Sequence, residues 1–221
     1  MKGAAMSTGR RSYSSARRQE QAGETRRAVV AAASRLFVEK GYAATTVDAI
    51  ASAAGVSLQT VYNAVGGKPT LLKAAYDVML AGDDEPIPMF DRPAFHAVIE
   101  SPDGRTALRH FAALGSEIGA RVAPLVGMVL AQAAAGDRDL QAFASTTEDE
   151  RATGTAHVAA FVAERFGLRP GLSRARAADV LWMLTSPDVR HRLVEVRGWS
   201  VAQFETWLAQ AMADALLGPE G

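Results

Sequence analysis

Residues 45–65, TTVDAIASAAGVSLQTVYNAV, decide the fold. Thr45 stands three residues before Asp48, the spacing of a capping box, and Val47, Ile50, Ala51 and Ala54 then keep helical spacing as far as Gly55. Gly55, Val56 and Ser57 form the turn, and Ser57 caps a second short helix that runs to about Val65, where Gly66-Gly67 breaks the chain. Two short helices joined by a turn that contains a glycine form a helix-turn-helix pattern. Val47, Ile50, Ala51, Val56 and Val61 lock the pair together, which leaves Leu58, Gln59, Thr60, Tyr62 and Asn63 on the exposed side of the second helix.

Those exposed residue types suit a nucleic-acid groove. Gln59 and Asn63 carry a donor and an acceptor side by side and can pair bidentately with adenine, Thr60 can meet a thymine methyl or a phosphate, and the Tyr62 hydroxyl can reach a phosphate. Thr46 and Ser57 at helix starts, and Lys68 at the start of the next helix, complete the candidate DNA contacts. Tyr42 reads as packing.

Upstream, Val29, Ala33, Leu36 and Phe37 fall on one face of a helix over Glu24–Lys40, and Gly41 follows where a left-handed cap belongs. Downstream, a helix begins at Lys68-Pro69 and runs to about Leu80, and residues 81–93, AGDDEPIPMFDRP, read as a linker or surface loop. Beyond it the expected helices are Pro93–Glu100, Gly104–Arg121, Pro124–Ala135, Arg138–Phe166 with a possible break, Arg174–Leu184, Pro187–Arg197 and Val201–Leu217. No period-two run bounded by turns is present, so the chain reads as all-α.

The 221 residues carry 24 Lys+Arg against 24 Asp+Glu, an ordinary globular composition with 48% hydrophobic residues. The balance is uneven along the chain: residues 1–80 hold 11 basic and 5 acidic residues, whereas residues 81–221 hold 13 and 19. A basic segment favours phosphate through counterion release, so the asymmetry points the amino-terminal part at a polyanion. The Ser- and Arg-rich start reads as a flexible basic arm over residues 1–22. Domains are thus expected at 23–67 for the helix-turn-helix unit, 68–81 for a connecting helix and 82–221 for a larger helical domain.

Cysteine is absent, which removes disulfides, thiolate metal sites and cysteine nucleophiles together. Neither a Gly-rich phosphate loop nor a Gly-x-Ser-x-Gly elbow occurs, and His96, His110, His157 and His191 lack metal-ligand spacing, so no enzyme, metal or cofactor is expected. No secretory signal is read, and the longest uncharged stretch, Ala49–Gly67, carries too many polar groups for lipid; the expected location is the cytoplasm, with no membrane partner.

In the larger domain, Phe204, Trp207, Leu208, Ala211 and Met212 form one apolar stripe and Ala177, Val180, Leu181 and Leu184 another. These nine residues are the expected interface of a homodimer built on a four-helix contact; the alternative is that both stripes face the subunit's own core. Phe111, Met128, Phe161 and Trp182 are the candidate lining of a small-molecule pocket, with core packing as the plainer reading.

The run from Val29 to Leu72, which includes LFVEKGYAATTVDAIASAAGVSLQTVYNAVGGKPTLL at 36–72, resembles the amino-terminal DNA-binding domain of TetR-type transcriptional regulators. Phe37, Gly41, Tyr42, Thr45, Thr46, Ile50, Ala51, Gly55, Val56, Ser57, Tyr62 and Lys68 carry the resemblance, and GWSVAQFETWLAQAMADALLG at 198–218 resembles the last helix of many members. The chain departs from the family pattern at Ala64, Val65, Gly67 and Pro69. The resemblance implies a helical homodimer that binds a palindromic double-stranded DNA operator and releases it when a small-molecule effector enters the carboxy-terminal domain. A non-specific DNA-binding or partner-docking protein without a small-molecule effector remains the alternative.

Overall fold

The computed structural model describes residues 8–218. Helix α1 spans Thr8–Lys40, α2 Val47–Ala54, α3 Leu58–Ala64 and α4 Lys68–Ala81. Backbone contacts divide the chain into two units, Met1–Val78 and Met79–Gly221. The division falls inside α4, the helix expected to connect the domains.

In the first unit α1, α2 and α3 pack against one another. Val29, Ala33, Phe37, Ile50, Val61 and Leu71 are completely buried, and Phe37 and Tyr42 meet with ring centroids 5.5 Å apart. The expected helix start at Glu24 is corrected, since α1 is already helical at Thr8. Residues 8–22 contain no proline, and their Arg and Ala residues, with Gln19, Glu20 and Gln21, extend a helix once the packed turn after Glu24 has supplied the costly nucleus. Met1–Ser7, the remainder of that arm, lie outside the described residues.

The second unit contains α5 (Pro93–Ile99), α6 (Gly104–Ala134), α7 (Arg138–Arg165), α8 (Arg174–Leu184), α9 (Pro187–Arg190) and α10 (Val201–Leu216). Helix α6 is central: α5, α7, α9 and α10 all pack on it, and α8 closes against α7 and α10. Two helices were expected where α6 runs unbroken through Pro124. Pro124 and Ala120, whose carbonyl loses its usual partner there, both lie on the exposed side of the helix, where the freed group is not shut away in the core, and the helix continues. By length and composition alone α6 is apolar enough to cross a membrane, yet Ala107, Leu108, Ala112 and Leu125 along it are fully buried in protein. Gly104 begins α6 beside the end of α10, where a Cβ would stand 2.9 Å from Leu217 Cδ1, so a larger residue there would displace that leucine side chain.

The expected helix Pro187–Arg197 splits into α9 and a π-helical turn over His191–Val196. The linker after α4 is ordered by Arg92, which is 7% exposed. Its guanidinium donates to both Asp83 carboxylate oxygens at 2.9 and 2.8 Å, to Glu85 O at 2.9 Å and to Ile87 O at 3.1 Å. Arg121 of α6 caps the end of α4, donating to Met79 O and Leu80 O at 2.9 Å each.

The expected dimer stripes need correction. Ala177, Leu181 and Leu184 of α8 and Phe204, Leu208 and Met212 of α10 lie in the unit's own core, because these two helices turn their most apolar faces onto α6 and α7. Val180, Trp207 and Ala211 are half-buried at its edge. The outward positions of α8 are Trp182 and Met183, 39% and 49% exposed.

Candidate nucleic-acid interface

Each element of the motif is set by local chemistry. The N-cap of α2 is Thr46, whose hydroxyl accepts from Ala49 N–H at 3.1 Å. This corrects the expected capping box at Thr45. Thr45 is fully buried and donates instead to Leu36 O at 3.1 Å and Gly41 O at 2.8 Å, satisfying carbonyls at the end of α1. Gly55 ends α2 at φ +69°, a left-handed conformation that glycine adopts without steric cost, and Val56 N–H then bonds Ala51 O. Ser57 caps α3 by accepting from Thr60 N–H at 3.1 Å, and its hydroxyl also lies 2.7 Å from the Thr60 hydroxyl.

With Val61 buried at 0% exposure, α3 is fixed by one face. The other face presents Leu58, Gln59, Tyr62 and Asn63, all exposed, with Thr60 half-buried beside them. Gln59 Nε2 donates to Asn63 Oδ1 at 2.9 Å, so the two amides sit side by side one helical turn apart. Tyr62 is 50% exposed, and the site for a Cβ on Gly67 is 3.9 Å from its ring.

Lys68 is half-buried. Its ammonium donates to Ala43 O at 3.4 Å and lies 4.3 Å from the centroid of the Tyr42 ring, a cation-π contact that ties the start of α4 to the loop after α1. Tyr42 is 2% exposed and serves packing. Residue-level reading missed Arg26, whose Nη1 donates to Ala64 O at 3.1 Å across the unit. Its signal in the sequence is only its place in the basic cluster.

The structure does not gather the four candidate pocket residues. Phe111 sits against Phe95 with ring centroids 6.4 Å apart, Phe161 against Phe166 at 5.8 Å, and Met128 is half-buried on α6. Trp182 is corrected to a surface position: Ala177, Leu181 and Leu184 take the inward face of α8, which turns Trp182 outward to the Arg151 guanidinium, 5.6 Å from its ring centroid. Open clefts on this unit are lined by other residues, one of about 690 Å³ by Arg105, Arg109, Phe166 and Arg169, another by Trp199 and Trp207.

Residues 29–75 match the tetR family of bacterial regulatory proteins. No curated protein matches the chain by sequence. Among solved structures the chain is similar to NalD, the secondary repressor of the MexAB-OprM multidrug efflux pump in Pseudomonas aeruginosa, at 21% identity and TM-score 0.60 over 90% of this chain and 98% of that one. SmeT in complex with triclosan is 19% identical with TM-score 0.63, over 89% of this chain and 98% of SmeT. The fatty acid degradation regulator FadR from Bacillus halodurans is 15% identical with TM-score 0.61, over 85% and 93%. Residues 29–75 thus match the helix-turn-helix domain of the tetR family, and the chain as a whole shares the fold of solved TetR-type transcriptional regulators.

Proposed function

We propose that this regulator is a sequence-specific repressor that binds a palindromic operator as a homodimer and releases it when a small molecule enters its carboxy-terminal unit. The observation that carries the DNA reading is the face of α3: Gln59, Tyr62 and Asn63 stand exposed on a short helix whose start is capped by Ser57 and whose inner side is anchored by Val61. An α-helix fits the major groove, where Gln and Asn read adenine and Tyr62 and Thr60 reach phosphate or a methyl group. A dimer places two such helices about one turn of DNA apart, and an effector acts by favouring a spacing that does not fit.

Repression finds support in the likeness to NalD, and a small-molecule effector in the likeness to SmeT with triclosan. The subunits of a dimer pair through the outward faces of α8 and α10, with Val180, Trp182, Met183, Trp207 and Ala211 available there. Phe111, Met128 and Phe161 are retained as effector-facing candidates.

A fluorescence-anisotropy titration tests the reading, using duplex DNA from the intergenic region beside the protein's own gene and a shuffled duplex at two salt concentrations. Tight binding to the native duplex alone, saturating at two or four subunits per site, is the expected result. Equal and steeply salt-sensitive binding to both duplexes instead identifies a non-specific DNA-binding protein.

A further inference from the structure

The carboxyl end of α3 poses an electrostatic problem for a helix that enters a DNA groove. The helix has seven residues and no basic side chain in its last turn. Its C-cap, Val65, has a non-helical backbone, and Val65 and Gly66 N–H groups both go to Val61 O at 3.0 and 3.3 Å. The last carbonyls of a helix carry partial negative charge, which a neighbouring phosphate repels. Ala64 has no side chain with which to offset this.

Arg26 of α1 meets that end of the helix. Its Nη1 donates to Ala64 O at 3.1 Å, across 38 residues of sequence. Among the described residues this is the one side-chain hydrogen bond Arg26 makes, and the side chain is exposed. A guanidinium has five N–H donors in a planar fork, so most remain for a second acceptor. Lys68, the other cation of the motif, is already engaged with Ala43 O and the Tyr42 ring.

We propose that Arg26 bridges the carboxyl end of α3 to an operator phosphate: one arm fixes Ala64 O, and the remaining donors take the phosphate that the helix end would otherwise repel. The inference rests on the DNA-binding reading above and adds to it a positioning and phosphate-contacting residue from outside the helix-turn-helix. Charge is needed for the phosphate, whereas any suitable N–H donor serves the carbonyl.

The test compares wild type with Arg26→Gln and Arg26→Lys by anisotropy, on the intergenic duplex and on a random duplex of equal length, from 50 to 200 mM KCl. Circular dichroism melting establishes that each variant is folded. Arg26→Gln removes the charge and shortens the side chain, and a dimer then makes two fewer phosphate contacts, whereas Arg26→Lys keeps both the charge and the reach. The slope of log affinity against log salt is expected to fall by about 2, so that over this range the variant loses roughly tenfold less affinity than wild type does. Arg26→Lys is expected to keep the wild-type slope. An unchanged slope in Arg26→Gln, or a lost one in Arg26→Lys, overturns the assignment while leaving the DNA-binding reading intact. Failure of wild type to bind either duplex overturns both.

Discussion

Gln59 Nε2 donates to Asn63 Oδ1 at 2.9 Å, so the two side chains best suited to read adenine hold each other on the exposed face of α3. The bond preorganises both amides and uses a donor of one and an acceptor of the other, leaving the remaining polar atoms for base edges. Residues in direct contact do not act additively. Gln59→Ala and Asn63→Ala are each expected to weaken operator binding, by about 1–3 kcal/mol for a bidentate base contact. The double variant should depart from the sum of the singles by at least about 0.5 kcal/mol. A double-mutant cycle read by anisotropy checks this, and strict additivity argues against joint readout.

Ser57 and Thr46 act on stability before they act on DNA. Each hydroxyl accepts a backbone N–H at a helix start, from Thr60 and Ala49 respectively. Replacing either by Ala is expected to cost about 1 kcal/mol of folding stability. Thermal melting of Ser57→Ala and Thr46→Ala gives the measurement, with Ser57→Asp, which restores an N-cap acceptor, recovering most of the stability.

Gly55 is required by its backbone. Its φ of +69° is left-handed, and open space surrounds the position where a Cβ would stand. Gly55→Ala therefore creates no clash with a neighbour, and its cost is conformational, about 1–2 kcal/mol. Urea unfolding should show a lower midpoint with an unchanged slope. Operator affinity measured well below that midpoint is expected to change little.

Asp83 makes the linker after α4 sensitive to acid. The Arg92 guanidinium, and then the Glu85 backbone N–H, hold its carboxyl below the ordinary value of 3.8. A carboxylate with a lowered folded pKa contributes stability that is present above the unfolded value and is lost as pH falls through the folded one. Asp83→Asn is thus expected to lower the urea midpoint at pH 6, and the gap from wild type should narrow as pH drops below 3.8. Midpoints across that range give the check.

Met183 tests the pairing surface. It is 49% exposed on the outward side of α8, so Met183→Glu leaves the subunit's core untouched. If two subunits meet there, the introduced charge is desolvated against an apolar face. Analytical ultracentrifugation is expected to show a dimer for wild type and a monomer for the variant at equal concentration; a dimer for both moves the interface elsewhere.

The sequence by itself determined the helix-turn-helix. Gly55, Ser57 and the spacing of Val47, Ile50, Ala51 and Val61 act over a few residues, through caps, a left-handed turn and one buried face, so their consequences are legible locally. The same holds for the exposed Gln59, Tyr62 and Asn63. What tertiary structure alone decided involves partners distant in the chain or rival demands on one residue. Thr45 and Thr46 are adjacent hydroxyls of equal capping ability, and burial of Thr45 against the end of α1 gave the cap to Thr46. The stripes on α8 and α10 are apolar whether they meet another subunit or their own core, and only the packing of α6 and α7 against them assigned Leu181, Phe204 and Leu208 to the interior. Pro124 breaks a helix by rule, yet α6 continues through it where Ala120 and Pro124 lie on its exposed side. Arg26 reads as one basic residue among several until the fold sets it on Ala64, because periodicity records which face a residue shares and never what faces it from across the chain.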